Sequence, residues 1–177
     1  METEDAARVW RTVLEWLLAG VAAAIIAWSV KHYMYAQLEI HNISMQNTLY
    51  DGQRLIEDKW SYHFHQPHRG DIVIIDGPES DIRLIKRVIG LPGDELDIRD
   101  GQVFINGTAL PEPYAKGRTE PNGITVPFVI GQGELFVMGD NRENSMDSRT
   151  LGPIAFTSIE GKAVFRMWPF RQFGFID

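Results

Sequence analysis

Two hydrophobic patterns divide the chain. Residues 13–30 are apolar almost throughout, and Glu15 is the only charged residue among them. Eighteen helical residues rise about 27 Å, which is close to the roughly 30 Å hydrocarbon core of a bilayer. From residue 37 onward the apolar runs are short and are separated by glycine and proline, a pattern typical of strands joined by turns. The chain is therefore predicted to be one membrane-spanning helix followed by a β-rich domain.

The apolar segment is predicted to be an uncleaved transmembrane anchor at 13–35, preceded by a short polar segment at 1–12. Arg8 and Arg11 precede it and Lys31 follows, which slightly favours the N-terminus inside. A cleaved signal peptide is disfavoured, because no small-residue cleavage site follows the apolar segment. A buried core helix stays open as an alternative, since the charge-free stretch 16–30 has only fifteen residues. Aromatic residues lie toward both ends, as they do at membrane interfaces: Trp10, Trp16, Trp28, Tyr33 and Tyr35.

The rest of the chain, 37–177, is predicted to be a catalytic β-domain. Asp100-Gly101 predicts a tight hairpin, and Asn106-Gly107 predicts another turn. Residues 111–133 are rich in proline and glycine and are expected to form an irregular excursion. The fold class is therefore mainly β, with packed antiparallel sheets or a distorted barrel behind one N-terminal transmembrane helix. The predicted strands lie at 37–42, 72–75, 84–89, 95–99, 102–105, 134–138 and 162–167.

One predicted strand carries a lysine where an aliphatic residue is usual. At the two-residue period of a strand, Leu84, Lys86 and Val88 share one face, and Lys86 is its only charge. Loss of hydration there lowers the pKa of a lysine from roughly 10.4, and a neutral lysine can act as a general base. The alternative is that Lys86 extends its amine to a nearby surface. Ser44 is a candidate nucleophile, although a serine at a strand end is commonly a turn former.

Composition narrows the classes of function. The net charge is −7, and no block of lysine or arginine is present, so a nucleic-acid partner is not expected. The chain has no cysteine, which excludes disulfides and thiolate chemistry but leaves the redox compartment open.

Four ordered motifs resemble those of the bacterial type I signal peptidases, the leader peptidases that use a serine–lysine dyad. The motifs occur in the family's order behind an N-terminal anchor, and together they span most of residues 37–177. The resemblance implies a serine endopeptidase anchored in the cell membrane by one span, with its β-domain on the extracytoplasmic side, that removes N-terminal signal peptides from translocated preproteins. The motifs are Ser44-Met45 with Thr48-Leu49, Arg69 to Val73, Lys86 to Asp94, and Gly139 to Arg149.

The resemblance also implies residue roles. Ser44 would be the nucleophile and Lys86 its general base, with Ser145 hydrogen-bonded to the lysine. The pairs Asp147 with Arg149 and Asp140 with Arg87 would brace the site. On physical grounds, neither carboxylate is expected to face Lys86, because a carboxylate there would favour the charged amine.

Two positions depart from the family motifs. Asn42 stands two residues before the nucleophile, where a small residue or a serine is common. With the main-chain N–H of Ser44, its amide is predicted to form the oxyanion hole. Asn47 replaces the usual proline, and its expected effect is a less rigid loop.

Substrate and ligand expectations also follow from the family. The substrate would be an extended peptide added as a strand, with small residues at the cleaved position and two before it. Its pocket walls are predicted at Ile43, Met45, Ile82 and Leu84. No cofactor is expected, and the lipid bilayer is an expected partner. The aromatic tail could be core or a membrane-contacting surface: Phe165, Trp168, Phe170, Phe173 and Phe175.

Other interpretations are weaker. His63, His65 and His68 lie in a proline-containing loop with no interleaved carboxylate or cysteine, so no metal site is predicted, and a metal hydrolase is disfavoured. A self-cleaving repressor with a serine–lysine pair would need a DNA-binding helix pair where this chain has an apolar span. A tethered binding module without catalysis is disfavoured because both Ser44 and Lys86 are present.

Overall fold

The computed structural model describes residues 2–77 and 83–176. Its first element is one long helix, α1 (Glu2–Tyr33), so residues 2–12 of the predicted polar segment form the first turns of the same helix as the apolar segment. The stretch Trp10–Ser29 is long and apolar enough to cross a membrane, and none of it is buried against the rest of the protein. This exposure excludes a buried core helix.

The described residues after α1 form twelve strands and a second, short helix, α2 (Ser148–Leu151). Every pairing between the strands is antiparallel. The strands are β1 (Tyr35–Glu39), β2 (Arg54–Asp58), β3 (Ile72–Asp76), β4 (Arg83–Gly90), β5 (Glu95–Arg99), β6 (Gln102–Ile105), β7 (Thr108–Ala109), β8 (Phe128–Val129), β9 (Glu134–Met138), β10 (Ile154–Ala155), β11 (Ile159–Trp168) and β12 (Gly174–Phe175).

Within the described residues, these strands build two sheets. The larger sheet has eight strands in the order β1-β2-β11-β3-β4-β9-β10, with β12 paired to β11. The smaller sheet has the order β7-β6-β5-β8. Its β5–β6 hairpin turns at Asp100 and Gly101, which have φ of 54° and 79°. Positive φ at both central residues is what the predicted tight hairpin requires.

The core surrounds β4, which contributes to three hydrophobic clusters. Ile85 packs in one cluster with Ile72 and Ile74, whereas Val88 packs on the opposite face with Val73 and others. A third cluster, which includes Ile89 of β4 and Phe136 of β9, joins the larger sheet to the smaller one through Leu96 of β5. The alternation predicted for β4 is therefore confirmed.

The mainly β prediction is confirmed, with local differences in where the strands lie. The first predicted strand, 37–42, is shifted, because β1 covers Tyr35–Glu39 and the following residues form the turn that carries Ser44. Five strands were not predicted: β2 and the two-residue strands β7, β8, β10 and β12. Of these, β8 lies within the predicted irregular excursion 111–133. The inward-facing positions of β2 include Glu57, which is fully buried, so the polarity pattern of β2 does not alternate as that of a half-buried strand should.

The aromatic tail divides between packing and exposure. Phe165 contacts Phe173 and Phe175 edge to face, with ring centroids 4.7 and 5.1 Å apart. Phe170, Phe173 and Phe175 are nevertheless 73%, 60% and 83% exposed, so these three side chains are not core.

Candidate active site

Ser44 lies in the loop that follows β1. Met45 and Leu49 are fully buried in the same core cluster as Ile85 and anchor this loop. The main-chain N–H groups of Thr48 and Leu49 donate to the Met45 carbonyl at 3.0 and 2.7 Å, which closes the loop into a tight turn. Ser44 is thereby held in one place and is buried, with 8% of its surface exposed.

The amine of Lys86 meets the Ser44 hydroxyl. Lys86 Nζ lies 3.0 Å from Ser44 Oγ and 3.0 Å from the carbonyl oxygen of Ile85. Lys86 is 2% exposed, and its cross-strand neighbour on β3 is the apolar Val73. Among the described residues, no carboxylate accepts a hydrogen bond from this amine. The lysine therefore does not extend to the surface, and its partner is an alcohol.

Burial lowers the pKa of Lys86 from 10.5 to about 8. Desolvation is the largest cause, because the ammonium loses its hydration shell. Arg149 lowers the pKa further by charge repulsion, whereas Asp147 and Asp140 raise it. A lysine with a pKa of about 8 is neutral in a useful fraction of molecules near neutral pH and can accept a proton.

Arg87 follows Lys86 in β4 and faces the other side. Its Nε and Nη2 donate to Asp140 Oδ1 and Oδ2, each at 2.9 Å, and both side chains are buried. Thr48 donates to the same carboxylate at 2.5 Å. The Asp140 carboxylate therefore pairs with Arg87, as expected, and not with Lys86.

Asp147 pairs with Arg149 in the same bidentate way, at 2.9 and 2.8 Å. The carboxylate also accepts the Gly139 N–H at 3.0 Å and caps α2 by accepting the Arg149 N–H. Burial opposes its ionisation, yet the hydrogen bond and charge of Arg149 lower the pKa of Asp147 overall. This pair ties α2 to the start of the loop 139–149.

Ser145 is close to the dyad but does not hydrogen-bond to it. Its Oγ is buried and forms no hydrogen bond with a described residue. The bond to Lys86 that the family resemblance implies is thus not formed, and the amine donates to the Ile85 carbonyl and to Ser44 instead. The packing here is tight. A Cβ at Gly139 would lie 2.3 Å from Ser145 Oγ and 2.5 Å from the Ser44 carbonyl oxygen.

The structure corrects the predicted role of Asn42. Asn42 Oδ1 accepts the Ser44 main-chain N–H at 3.3 Å and the Ser44 hydroxyl at 3.0 Å. The amide therefore presents an acceptor to Ser44, and not the donor that an oxyanion hole needs. The physical reason is that a main-chain N–H can only donate, so the atom facing it must be the oxygen.

The three predicted wall residues that the structure describes lie in different surroundings. Ile43 is 48% exposed beside Ser44, whereas Met45 is buried beneath it in the core cluster. Leu84 packs on the opposite face of β4, against the cluster of Val73 and Val88. Ile82 lies outside the described residues.

Part of the excursion completes the site, which pattern analysis did not anticipate. Arg142 is fully buried and donates to both carboxylate oxygens of Glu112, at 2.9 and 2.7 Å, and to Thr119 at 2.8 Å. Next to it, the Asn141 N–H donates to the Ser44 carbonyl at 2.9 Å. Arg142 lies within the motif Gly139 to Arg149, but nothing in the sequence around Glu112 predicted that it would pair with Arg142.

The excursion also contacts the nucleophile loop. Lys116 Nζ donates to Gln46 Oε1 at 2.9 Å, and Asn47 Nδ2 donates to the Ala115 carbonyl at 3.4 Å. Asn47 has φ of 94°, a conformation that asparagine tolerates and proline cannot adopt. The expectation of a merely less rigid loop was therefore incomplete, because the loop has a backbone shape that excludes the usual proline.

His63, His65 and His68 are exposed on the surface. His63 contacts Trp60 and His65 contacts Tyr62, with ring centroids 5.4 and 6.4 Å apart. Within 2–77 and 83–176, no group of three histidine, aspartate or glutamate side chains is placed to hold a metal ion.

A buried lysine amine within hydrogen-bond distance of a serine hydroxyl is the arrangement of a serine–lysine hydrolase, in which the amine removes the proton from the attacking alcohol. Fold and site thus define the class of protein: a β-domain hydrolase attached to an apolar N-terminal helix.

Comparison with known proteins gives the family. A family model described as "Signal peptidase, peptidase S26" matches residues 13–168. A signal peptidase I of Bacillus licheniformis is 36% identical over 181 residues, which cover 97% of each chain. Signal peptidase I T of Bacillus subtilis (strain 168) is 40% identical over 170 residues, covering 91% of this chain and 88% of the other. This chain belongs to the signal peptidase family, as its motifs indicate.

Among solved structures, a signal peptidase I from Enterococcus faecalis V583 is similar. It shares 34% sequence identity, and the match covers 55% of this chain and 97% of that one with a TM-score of 0.47.

Proposed function

We propose that Ser44 is the nucleophile and Lys86 the general base of this enzyme. The protein is a serine endopeptidase of the signal peptidase family, and its reaction is the removal of signal peptides. The observation that carries the residue assignment is the 3.0 Å distance between Lys86 Nζ and Ser44 Oγ, with the amine buried. The low pKa of about 8 supplies the neutral base that the mechanism needs.

The chemistry follows from this pair. Neutral Lys86 takes the Ser44 proton as Oγ attacks the scissile carbonyl carbon, giving a tetrahedral intermediate. The lysine ammonium then gives that proton to the leaving amine, the C–N bond breaks, and the signal peptide remains as an ester on Ser44. Water attacks the ester while Lys86 accepts its proton. Returning this proton to Ser44 Oγ releases the signal peptide and restores the enzyme.

The main-chain N–H of Ser44 is the proposed first donor to the oxyanion, because it belongs to the residue that attacks. The supporting residues act through geometry. The pairs Arg87–Asp140 and Asp147–Arg149 hold the loop 139–149 against the nucleophile loop, and Ser145 fills the space beside Gly139.

The substrate peptide would add to an edge of β4. Strand β3 pairs with β4 from Arg83 to Arg87, whereas β9 pairs with it from Arg87 onward. The second edge of the stretch 83–86 therefore supports addition of an extended peptide next to Lys86. Small residues at the cleaved position and two before it would fit close to Ile43, which is exposed beside Ser44.

The molecule divides, in our proposal, into a membrane anchor within α1 and a catalytic domain from residue 37 onward. The apolar stretch Trp10–Ser29 fits a membrane anchor. The catalytic domain would lie on the extracytoplasmic side, where translocated preproteins emerge. The exposed Phe170, Phe173 and Phe175 support a further contact of this domain with the bilayer.

The test is cleavage of a model preprotein by the full-length enzyme in lipid vesicles. Ser44→Ala and Lys86→Ala should each abolish cleavage. Lys59→Ala and Ser158→Ala, outside the site, serve as matched controls for loss of a lysine or a serine. Full activity in Lys86→Ala would end the assignment of the general base.

A further inference from the structure

Asn42 holds both groups of Ser44 that the proposed reaction uses. Its Oδ1 is 3.0 Å from Ser44 Oγ and 3.3 Å from the Ser44 nitrogen. The first of these groups is the nucleophile, and the second is the proposed oxyanion donor. One amide oxygen therefore accepts a hydrogen bond from both groups.

The single proton of the Ser44 hydroxyl has two acceptors competing for it. When Lys86 is charged, Nζ donates to Oγ, and the Ser44 proton is directed to Asn42. When Lys86 is neutral, its lone pair can accept that same proton. The Asn42 oxygen thus stabilises the charged dyad and competes with the arrangement from which Oγ attacks.

We propose that Asn42 is a resting-state latch, a positioning residue that holds the Ser44 proton and N–H in the empty enzyme and leaves both as the scissile carbonyl enters. The inference rests on the proposed roles of Ser44 and Lys86. Both bonds to Asn42 must break during acylation, because the N–H is needed by the oxyanion and the hydroxyl proton moves to Lys86. No covalent bond of Asn42 changes.

The charged groups that act on Lys86 through space are Asp147, Arg149 and Asp140, each of which is bound to another partner. Asn42 is uncharged, so its removal changes the balance between charged and neutral Lys86 through this hydrogen bond. Replacing its oxygen acceptor with a carboxylate has the opposite effect, because a negative charge stabilises the ammonium.

The pH dependence of kcat/KM tests the latch, measured with full-length enzyme and a peptide spanning a signal-peptide cleavage site. Asn42→Ala should lower the apparent pKa by roughly half a pH unit, since one hydrogen bond to the charged dyad is lost. Asn42→Asp should raise it by about one pH unit. The high-pH plateau of Asn42→Ala should stay at or above that of the parent enzyme.

These opposite shifts of the apparent pKa distinguish a latch from a structural role. Loss of a merely structural residue would lower activity without shifting the apparent pKa down in one variant and up in the other. An unshifted or raised pKa in Asn42→Ala would overturn the latch, and so would a plateau lowered more than tenfold. Asn42→Asp preserves the shape of the side chain and tests the same point if Asn42→Ala does not fold. The two proposals can fail separately. An active Ser44→Ala enzyme would contradict the assignment of the nucleophile. An inactive Ser44→Ala enzyme together with an unshifted apparent pKa in Asn42→Ala would contradict only the latch.

Discussion

Two adjacent basic residues of β4, one on each side of the strand, have opposite kinds of partner. Lys86 and Arg87 are consecutive, and each is 2% exposed. Arg87 meets the Asp140 carboxylate through two hydrogen bonds, whereas Lys86 meets a serine hydroxyl and a carbonyl oxygen. A guanidinium does not lose its proton in a protein, so burial requires an opposite charge. A lysine can lose its proton, and burial without a carboxylate partner therefore produces a base.

The difference has a consequence for stability. The pKa of Lys86 falls from 10.5 to about 8, which corresponds to about 3 kcal/mol. Between these two pH values the unfolded chain holds a proton that the folded protein has released, so stability rises with pH through this window. Below pH 8 the charged lysine destabilises the fold by this full amount. The base is obtained at the expense of stability.

The largest expected effect comes from removing the base while keeping its bulk. Lys86→Met should lose activity by roughly 10⁴-fold or more, because the nucleophile has no proton acceptor. At pH 7, the unfolding temperature of this variant should equal or exceed that of the parent, since the buried charge is gone. Preprotein cleavage and circular dichroism of the full-length protein measure the two effects. A marked loss of thermal stability would contradict the unpaired character of Lys86.

Arg87→Met is the matched change on the other side of β4. We expect a loss of about 3–5 kcal/mol in the free energy of unfolding, because Asp140 is left buried without its partner. Denaturant unfolding of the full-length protein measures this loss. The double variant Arg87→Met/Asp140→Asn should recover a large part of it. Equal stability of Lys86→Met and Arg87→Met would break the contrast between the two sides.

Asn47 tests how the nucleophile loop supports the Arg87 side, because the next residue, Thr48, donates to Asp140. Asn47→Pro should destabilise the protein by at least about 2 kcal/mol, since proline cannot take a φ of 94°. Asn47→Gly, which accepts this φ freely, should stay within about 0.5 kcal/mol of the parent. Thermal unfolding compares the two variants. A stable Asn47→Pro enzyme would show that the loop adopts another backbone shape.

The smallest expected effect is the pH dependence of kcat/KM, which tests the protonation state of Lys86. Below its pKa of about 8, Lys86 is charged and cannot accept the Ser44 proton. We therefore expect kcat/KM to fall about tenfold for each pH unit below 8 and to level off above it. An apparent pKa near that of free lysine would exclude a buried base.

Local patterning accounts for much of what could be predicted. Alternation at a period of two places Lys86, Leu84 and Val88 on one face, and the turn at Asp100-Gly101 joins two strands at the predicted bounds. No strand was predicted at β2, where the charged Glu57 takes one of the two buried positions. The physical reason is that a pattern of apolar and polar residues identifies a buried position by its apolar side chain, so a buried charged residue is wrongly assigned to the surface.

By itself, the sequence determined the apolar helix, the mainly β domain, the family motifs and the face of β4 that Lys86 occupies, because each depends on neighbouring residues. Tertiary structure decided which groups meet. The Ser44–Lys86 contact joins residues 42 apart, and the Arg142–Glu112 pair joins residues 30 apart. It also decided that Ile85, and not Ser145, supplies the second acceptor for the lysine, and that Asn42 turns its oxygen to Ser44. Hydrogen bonds depend on distances and angles between atoms, and the folded chain sets these through packing that local periodicity does not encode.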